Sequence, residues 1–235
     1  MRKLLGNFAN LRPVYVYDAL IEGSTVKPEV VKGVDLIFVR ELLGGLYFGL
    51  PRGREGAKAF DTEVYSVDEV KRVAHTAFQL ARTRRKKLTS VDKANVLESS
   101  ILWRQVVTEV SKEYPDVALD HLYVDNCAMQ LILRPKSFDV VVTSNLFGDI
   151  LSDLGPAVAG GIGIAPSANL NPERVYPSMF EPVHGSAPDI AGRNIANPIG
   201  TIWSVALMLD HFGSPEAGRA VENAIEAVLS TGGPR

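Results

Sequence analysis

The sequence predicts an α/β fold. Short apolar runs rich in β-branched residues alternate with longer stretches of helical periodicity, and one of those helices carries a full start signal. At 235 residues the chain is long enough for one large domain or two modest ones with a buried core. Apolar residues at 46% and charged residues at 22% exclude a disordered chain. With 25 basic and 27 acidic side chains the formal charge is -2, so neither nucleic acid nor a membrane surface is an expected partner. No apolar run approaches the roughly 18 residues of a spanning helix. The start, MRKLLGNFANLRP, is too short in apolar residues for a signal peptide, and the expected compartment is the cytoplasm. One cysteine, Cys127, excludes an intrachain disulfide and a multi-cysteine metal site.

Residues 34–39 (VDLIFV) read as a buried strand ending at Arg40. Ser66 and Glu69 form a capping box, and Val70, Val73, Ala74, Ala77, Leu80 and Ala81 follow at helical spacing. That helix closes on the basic run 82–87, where cations suit the dipole. Strands are expected at 88–91, 117–124 and 140–143, and an amphipathic helix at 99–114 before Pro115. Further helices are expected from Asn126 and from Phe147. Beyond Pro156 the composition turns small and glycine-rich, and about thirty residues read as loop. Two helices close the chain, at 198–212 and from Ser214-Pro215, where proline suits the first turn. A boundary near residue 158 divides a first part, 1–158, from a strand-poor second part, 159–235.

The sharpest chemical signal is NLFGDILSD at 145–153, directly after a strand. Asp149 and Asp153 are four apart, so on a helix both carboxylates leave one face. A cation between them removes their repulsion, and an all-oxygen pair suits Mg²⁺ or Mn²⁺ rather than zinc. The other reading is that acidic residues simply favour a helix N-terminus. Asp125, in YVDNCAM, ends a strand and is either a third carboxylate or a cap. Cys127 has no histidine beside it and reads as a buried, inert thiol. Lys93, in SVDKANVLE, follows a strand; beside a cation and arginines it makes a usable base, and otherwise it is a solvated loop lysine. Arg12 and Arg40 suit bidentate carboxylate recognition, or surface ion pairs. Tyr47 lies among glycines that let backbone approach a ligand, or is a turn-packing aromatic. The loop EPVHGSAPDIAG with ANP is dense in hydrogen-bonding groups, and Asp189 in it suits the two hydroxyls of a ribose. No GxGxxG follows a strand, which disfavours a Rossmann dinucleotide site.

Together, FANLRP, VRELLGGLYFG, SVDKANVLE, YVDNCAM, NLFGDILSD and EPVHGSAPDIAG with ANP resemble the isocitrate/isopropylmalate dehydrogenase family of β-decarboxylating dehydrogenases, over nearly the whole chain. The resemblance implies an isopropylmalate-dehydrogenase-like two-domain fold, incomplete because family members carry chain before the position of Arg2 and past Gly233. On that basis 1–158 is the substrate, metal and dimerisation domain and 159–235 a remnant of the NAD-binding domain. It implies NAD-dependent oxidative decarboxylation of 3-isopropylmalate in leucine biosynthesis, with Mg²⁺ or Mn²⁺, by a homodimer whose active site is shared between subunits. Arg2, Arg12 and Arg40 would hold the substrate carboxylates, and Val96, with Leu97, would meet the apolar substituent. Asp149 and Asp153 would hold the cation with the partner subunit's Asp125, which also reaches substrate. The partner subunit's Lys93 would take the hydroxyl proton, and Tyr47 would protonate the enol carbon. His184, Gly185, Ala187, Asp189, Ile190 and Asn197 would hold the adenosine half of NAD. Residues 167–177 look more like the tartrate and D-malate branch, which leaves that chemistry as the alternative. A further alternative is an inactive fragment retaining only the dimer-forming region.

Overall fold

The computed structural model describes residues 3–232. In chain order its strands are β1 (Ala9–Tyr15), β2 (Asp35–Glu41), β3 (Gly53–Glu55), β4 (Lys58–Phe60), β5 (Lys87–Asp92), β6 (Ala118–Tyr123), β7 (Val140–Thr143), β8 (Pro166–Leu170) and β9 (Met179–Pro182). Its helices are α1 (Pro28–Val31), α2 (Val67–Arg82), α3 (Glu98–Ser111), α4 (Val124–Leu133), α5 (Asn145–Ala159), α6 (Ile199–His211) and α7 (Pro215–Ser230).

Seven strands form one sheet in the order β6-β5-β7-β2-β1-β8-β9, and β3 and β4 make a separate hairpin. The four strands from β6 to β2 are parallel, whereas β1, β8 and β9 each run antiparallel to the preceding neighbour. Arg40 pairs with Thr143, Thr143 with Val91, and Asp92 with Tyr123, so the C-terminal ends of all four parallel strands finish level. That edge is where α/β sheets place their chemistry.

Side chains alternate between two cores, one on each sheet face. Leu36 and Phe38 of β2 and Val141 of β7 join a core with Cys127, Leu131, Leu151 and Trp203. Ile37, Val39, Val140 and Val142 join the other, against Val70, Val73, Ala77 and Phe78 of α2 and Trp103 of α3. The capping box forms as expected: the Ser66 hydroxyl accepts from the Glu69 amide and the Glu69 carboxylate accepts from the Ser66 amide. The basic run after α2 does more than offset a dipole. Arg82 pairs with Asp116, and Arg84 bridges Asp35 and the buried Asp139, tying the end of α2 to β2 and β7.

Helix α3 ends three residues before the expected 114, and α5 begins two residues before Phe147. The larger departures are strands that local pattern conceals. β1 carries Asn10, Arg12 and Pro13; β8 pairs only with Ala9–Leu11, which leaves Pro13 beyond the end of that pairing, where proline costs no ladder bond. The stretch expected to be loop contains β8 and β9. β8 is buried from Pro166 to Asn169, so it shows no alternation, and its pairing with β1 spans more than 150 residues of sequence. The segment after 159 therefore extends the same sheet through β8 and β9, with α6 packed on both strands. No helix among the described residues is long and apolar enough to cross a membrane.

Candidate active site

Arg12 enters from β1 and Arg40 from the end of β2, at 6% and 2% exposure. α5 follows β7 and runs past both. Gly148 makes that approach close: a Cβ there would lie 2.5 Å from Cγ of Arg40. Asp149 and Asp153 leave α5 one turn apart, and Arg12 reaches both, Nη2 at 3.6 Å from Asp149 and Nη1 at 3.1 Å from Asp153. Arg40 Nη1 donates to the same Asp149 oxygen, and the Tyr47 hydroxyl donates to the other. Tyr47 ends the turn Gly45–Tyr47, its ring 5.4 Å from the Arg40 guanidinium.

Both guanidiniums also have neutral anchors. Asn145 Oδ1 accepts from Arg40 Nε at 3.1 Å and Nη2 at 2.7 Å, and Ser152 Oγ accepts from Arg12 Nη1 at 2.7 Å. Asn145 is itself fixed: its Nδ2 donates to the carbonyls of Leu42 and Gly44, and its amide donates to the Tyr65 hydroxyl. The buried Glu41 carboxylate accepts from the amides of Leu43 and Gly44, which shapes the loop carrying Tyr47. Burial and the neighbouring Asp149 carboxylate raise the Tyr47 phenol above its ordinary value, against the opposing pull of Arg40.

Sequence reasoning assigned Arg12, Arg40, Tyr47, Asp149 and Asp153 to one site, and the fold brings these five together. Arg2 lies outside the described residues. Asn145, Ser152 and Glu41 were missed as functional positions. Two of them stood inside NLFGDILSD, where an asparagine at the head of a helix behind a buried strand was the available signal.

Lys93 and Asp125 form a pair of their own. Lys93 follows β5 and its Nζ donates to Asp125 Oδ1 at 2.6 Å; Asp125 opens α4 behind β6. That bond holds the Asp125 carboxyl below its ordinary value. β6 is three places from β2, so the strand bearing Arg40 and the strand before Asp125 stand about 14 Å apart at the usual spacing. Val96, exposed at 67%, and Leu97 lie between β5 and α3. Cys127 is fully buried and its thiol is pushed up to about 12, as an inert core residue should be.

The donor set of Asp149 and Asp153, two carboxylates facing one way from consecutive turns, fits a hard divalent cation. Within one chain it stops there: among the described residues no group of three His, Cys, Asp or Glu side chains converges to hold a metal.

The second predicted site is the loop from β9 to α6. His184 Nδ1 lies 3.0 Å from the Gly185 carbonyl, while its Nε2 is enclosed with no hydrogen-bond partner. Ala187 takes a left-handed φ of 43°, which turns the chain into the short helix Pro188–Ile190 and leaves Asp189 exposed. Asn197 Oδ1 accepts from the Ile199 amide and so caps the start of α6. An enclosed imidazole nitrogen without a partner and, five residues on, an exposed carboxylate give this loop unanswered polar groups that fit a polar ligand such as the adenosine half of NAD.

A family model described as isocitrate/isopropylmalate dehydrogenase matches residues 1–234. The chain is 58% identical over 233 residues to the 3-isopropylmalate dehydrogenase of Wolinella succinogenes, covering 99% of this chain and 64% of that protein. It is 57% identical over 238 residues to the 3-isopropylmalate dehydrogenase of Clostridium acetobutylicum, covering 99% and 66%. Among solved structures, isocitrate dehydrogenase from Methylococcus capsulatus superposes with a TM-score of 0.88 at 40% identity, over 98% of this chain and 67% of that one. The TT0538 protein of Thermus thermophilus gives 0.89 at 36% identity, over 98% and 46%. The chain thus spans about 64–66% of the length of the curated relatives it matches. With its site geometry and these likenesses in agreement, the chain belongs to the isocitrate/isopropylmalate dehydrogenase family.

Proposed function

We propose that this chain carries the catalytic half-sites of an NAD-dependent, Mg²⁺- or Mn²⁺-requiring 3-isopropylmalate dehydrogenase of leucine biosynthesis, working in the cytoplasm as a homodimer. The observation that carries the proposal is the convergence of Arg12, Arg40 and Tyr47 on Asp149 and Asp153 at the C-terminal edge of the parallel strands. Two buried guanidiniums give a dicarboxylate its charge partners. Tyr47, its hydroxyl donating to Asp149 and its phenol raised above an already high ordinary value, carries a proton that it could deliver to an enol carbon. The partner subunit's Lys93 would accept the substrate hydroxyl proton at Nζ. When bound, the cation supplies Lewis acidity at the substrate hydroxyl and carboxylate oxygens, and NAD supplies the hydride acceptor.

Sharing the site between subunits is supported by the absence, among the described residues, of a third carboxylate converging with Asp149 and Asp153, and by apolar side chains exposed on α4 and α5, namely Met129, Ile132, Leu133 and Ile150. In this reading residues 1–158 bind substrate and metal and form the dimer, and 159–235 contribute to NAD binding through His184, Gly185, Ala187, Asp189, Ile190 and Asn197. Val96 would meet the apolar substituent of the acid, and Asp125 would reach both metal and substrate.

The test is NADH formation by the purified chain with 3-isopropylmalate, NAD and Mg²⁺. Turnover that disappears with chelator is expected. No turnover, with a folded chain and excess metal, favours the inactive-fragment reading. Residues 167–177 favour tartrate or D-malate as a second substrate reading, so kcat/KM is measured on all three acids. Mixing Lys93→Met with Asp149→Asn, each inactive alone, should restore about a quarter of wild-type activity if sites are shared in a two-fold dimer, since half the dimers are mixed and each has one complete site. No restoration would remove the shared site.

A further inference from the structure

We infer that Arg104 is a positioning residue: through Asp92 and the Tyr123 ring it fixes the turn that carries Lys93 and aims the Lys93 amine at Asp125. This rests on the role proposed for Lys93 above and deepens it. Asp92 closes β5 at 1% exposure, and a carboxylate buried there has to be answered by hydrogen bonds and charge. Arg104, on α3, answers it with a two-pronged contact, Nε to Oδ2 at 2.9 Å and Nη2 to Oδ1 at 3.0 Å. Asp92 Oδ1 also accepts from the Ala94 amide at 2.9 Å, which bends the chain around Lys93. The Lys93 carbonyl in turn accepts from the amides of Val96 and Leu97, closing a turn over residues 93–97. That turn hangs on Asp92, and Arg104 holds Asp92.

The same guanidinium acts on the amine through an aromatic ring. Tyr123 ends β6 directly beside Asp92 in the parallel pairing. Its ring centroid lies 5.0 Å from the Arg104 guanidinium and 5.9 Å from Lys93 Nζ. Two cations drawn to one ring stay there because each has a carboxylate of its own. Arg104 takes both oxygens of Asp92, and Lys93 pairs with Asp125, Nζ to Oδ1 at 2.6 Å. A lysine at 104 would bring a charge but no fork, and could not hold both oxygens at once.

Trinitrobenzenesulfonate labelling of the full chain, with Lys93 followed by mass spectrometry, tests the inference and needs neither metal nor NAD. The exposed Lys71 serves as internal reference. Arg104→Gln should speed labelling of Lys93 about threefold or more, the size of a lost half-exposed ion pair, and leave Lys71 unchanged. Arg104→Lys, which keeps a cation beside Asp92, should behave like Arg104→Gln, and it decides if that variant fails to fold. Tyr123→Leu should speed Lys93 by a smaller factor, and Tyr123→Phe, which keeps the ring, should not. In turnover, Arg104→Gln should lower kcat about tenfold or more and change KM for 3-isopropylmalate much less, since a misplaced base slows chemistry rather than binding. A folded Arg104 variant whose Lys93 reacts at the wild-type rate overturns the inference, as does a lowered melting temperature with kcat unchanged. A wild type without turnover counts against the function proposed above, and the labelling then decides this inference by itself.

Discussion

The Arg12–Arg40–Asp149 cluster and the Lys93–Asp125 pair stand at the same edge of one sheet but are built in opposite ways. In the first, two guanidiniums are buried between β1, β2 and α5, and each is answered by carboxylates of α5 in the same chain. The second joins a half-buried Lys93, standing over the Tyr123 ring, to an exposed Asp125; that ring's other neighbour is Arg104, itself paired with the buried Asp92. Buried charge must be paired where the chain folds, so that cluster is also part of the stability of the fold. An ion pair with one exposed member adds little to stability, so this pair contributes less to the fold than the arginine cluster does.

The comparison is broken most severely at Asn145. Asn145→Leu strips two hydrogen bonds from the Arg40 guanidinium and leaves the carbonyls of Leu42 and Gly44 unanswered. Each buried group left unsatisfied costs about 1–3 kcal/mol, so a loss of about 3 kcal/mol or more is expected in urea unfolding. A change under about 0.5 kcal/mol would show that the cluster is not a stability element. Next comes Gly148→Ala, where the new methyl meets the Arg40 stem and must push α5 from β2; about 1–3 kcal/mol is expected by the same measurement.

A smaller effect sharpens the electrostatic side. The phenol of Tyr47 is raised by burial and Asp149, so its contribution to stability is complete below the ordinary value of about 10 and is lost as pH rises through the raised value. The ultraviolet difference titration of Tyr47→Phe against wild type should lose one phenolate step above pH of about 10, and Asp149→Asn should move that step down. A step unmoved by Asp149→Asn would break the link between the two groups. The smallest change belongs to the Lys93–Asp125 pair. Asp125 is held down by its bond from Lys93, so what it adds to stability is present above the ordinary Asp value of about 3.9 and fades as pH falls through the depressed one. Lys93→Met and Asp125→Asn should leave the urea midpoint nearly unchanged at neutral pH, and any difference should vanish in acid. A large shift at neutral pH would mean that this pair, too, supports the fold.

Much of the cluster could be read from residue types alone. Asp149 and Asp153 had to share a face because four residues are close to one helical turn, and Arg40 had to lie near the end of a strand because the run Leu36 to Val39 before it is continuously apolar. Hidden from such reading were the groups that hold the charges in place. Asn145 acts on Arg40 across 105 residues, and Ser152 acts on Arg12 across 140. Nothing in the spacing along the chain encodes those distances. β8 was hidden for the same reason, since a short buried strand rich in small residues becomes a strand only when β1 and β9 pair with it.

Residue pattern alone dictates the α/β class, the family, the capping box of α2, the inert buried thiol and the chemical character of each charged residue. Those properties follow from local spacing and side-chain chemistry, which the chain carries wherever it is placed. Folding had to establish that Asp149 meets both arginines and Tyr47, and that Lys93 and Asp125, at the ends of β5 and β6, pair with each other. The physical reason is strand order: β7 forms between β2 and β5, and this insertion, made by non-local hydrogen bonds, sets which charges touch and which stand apart.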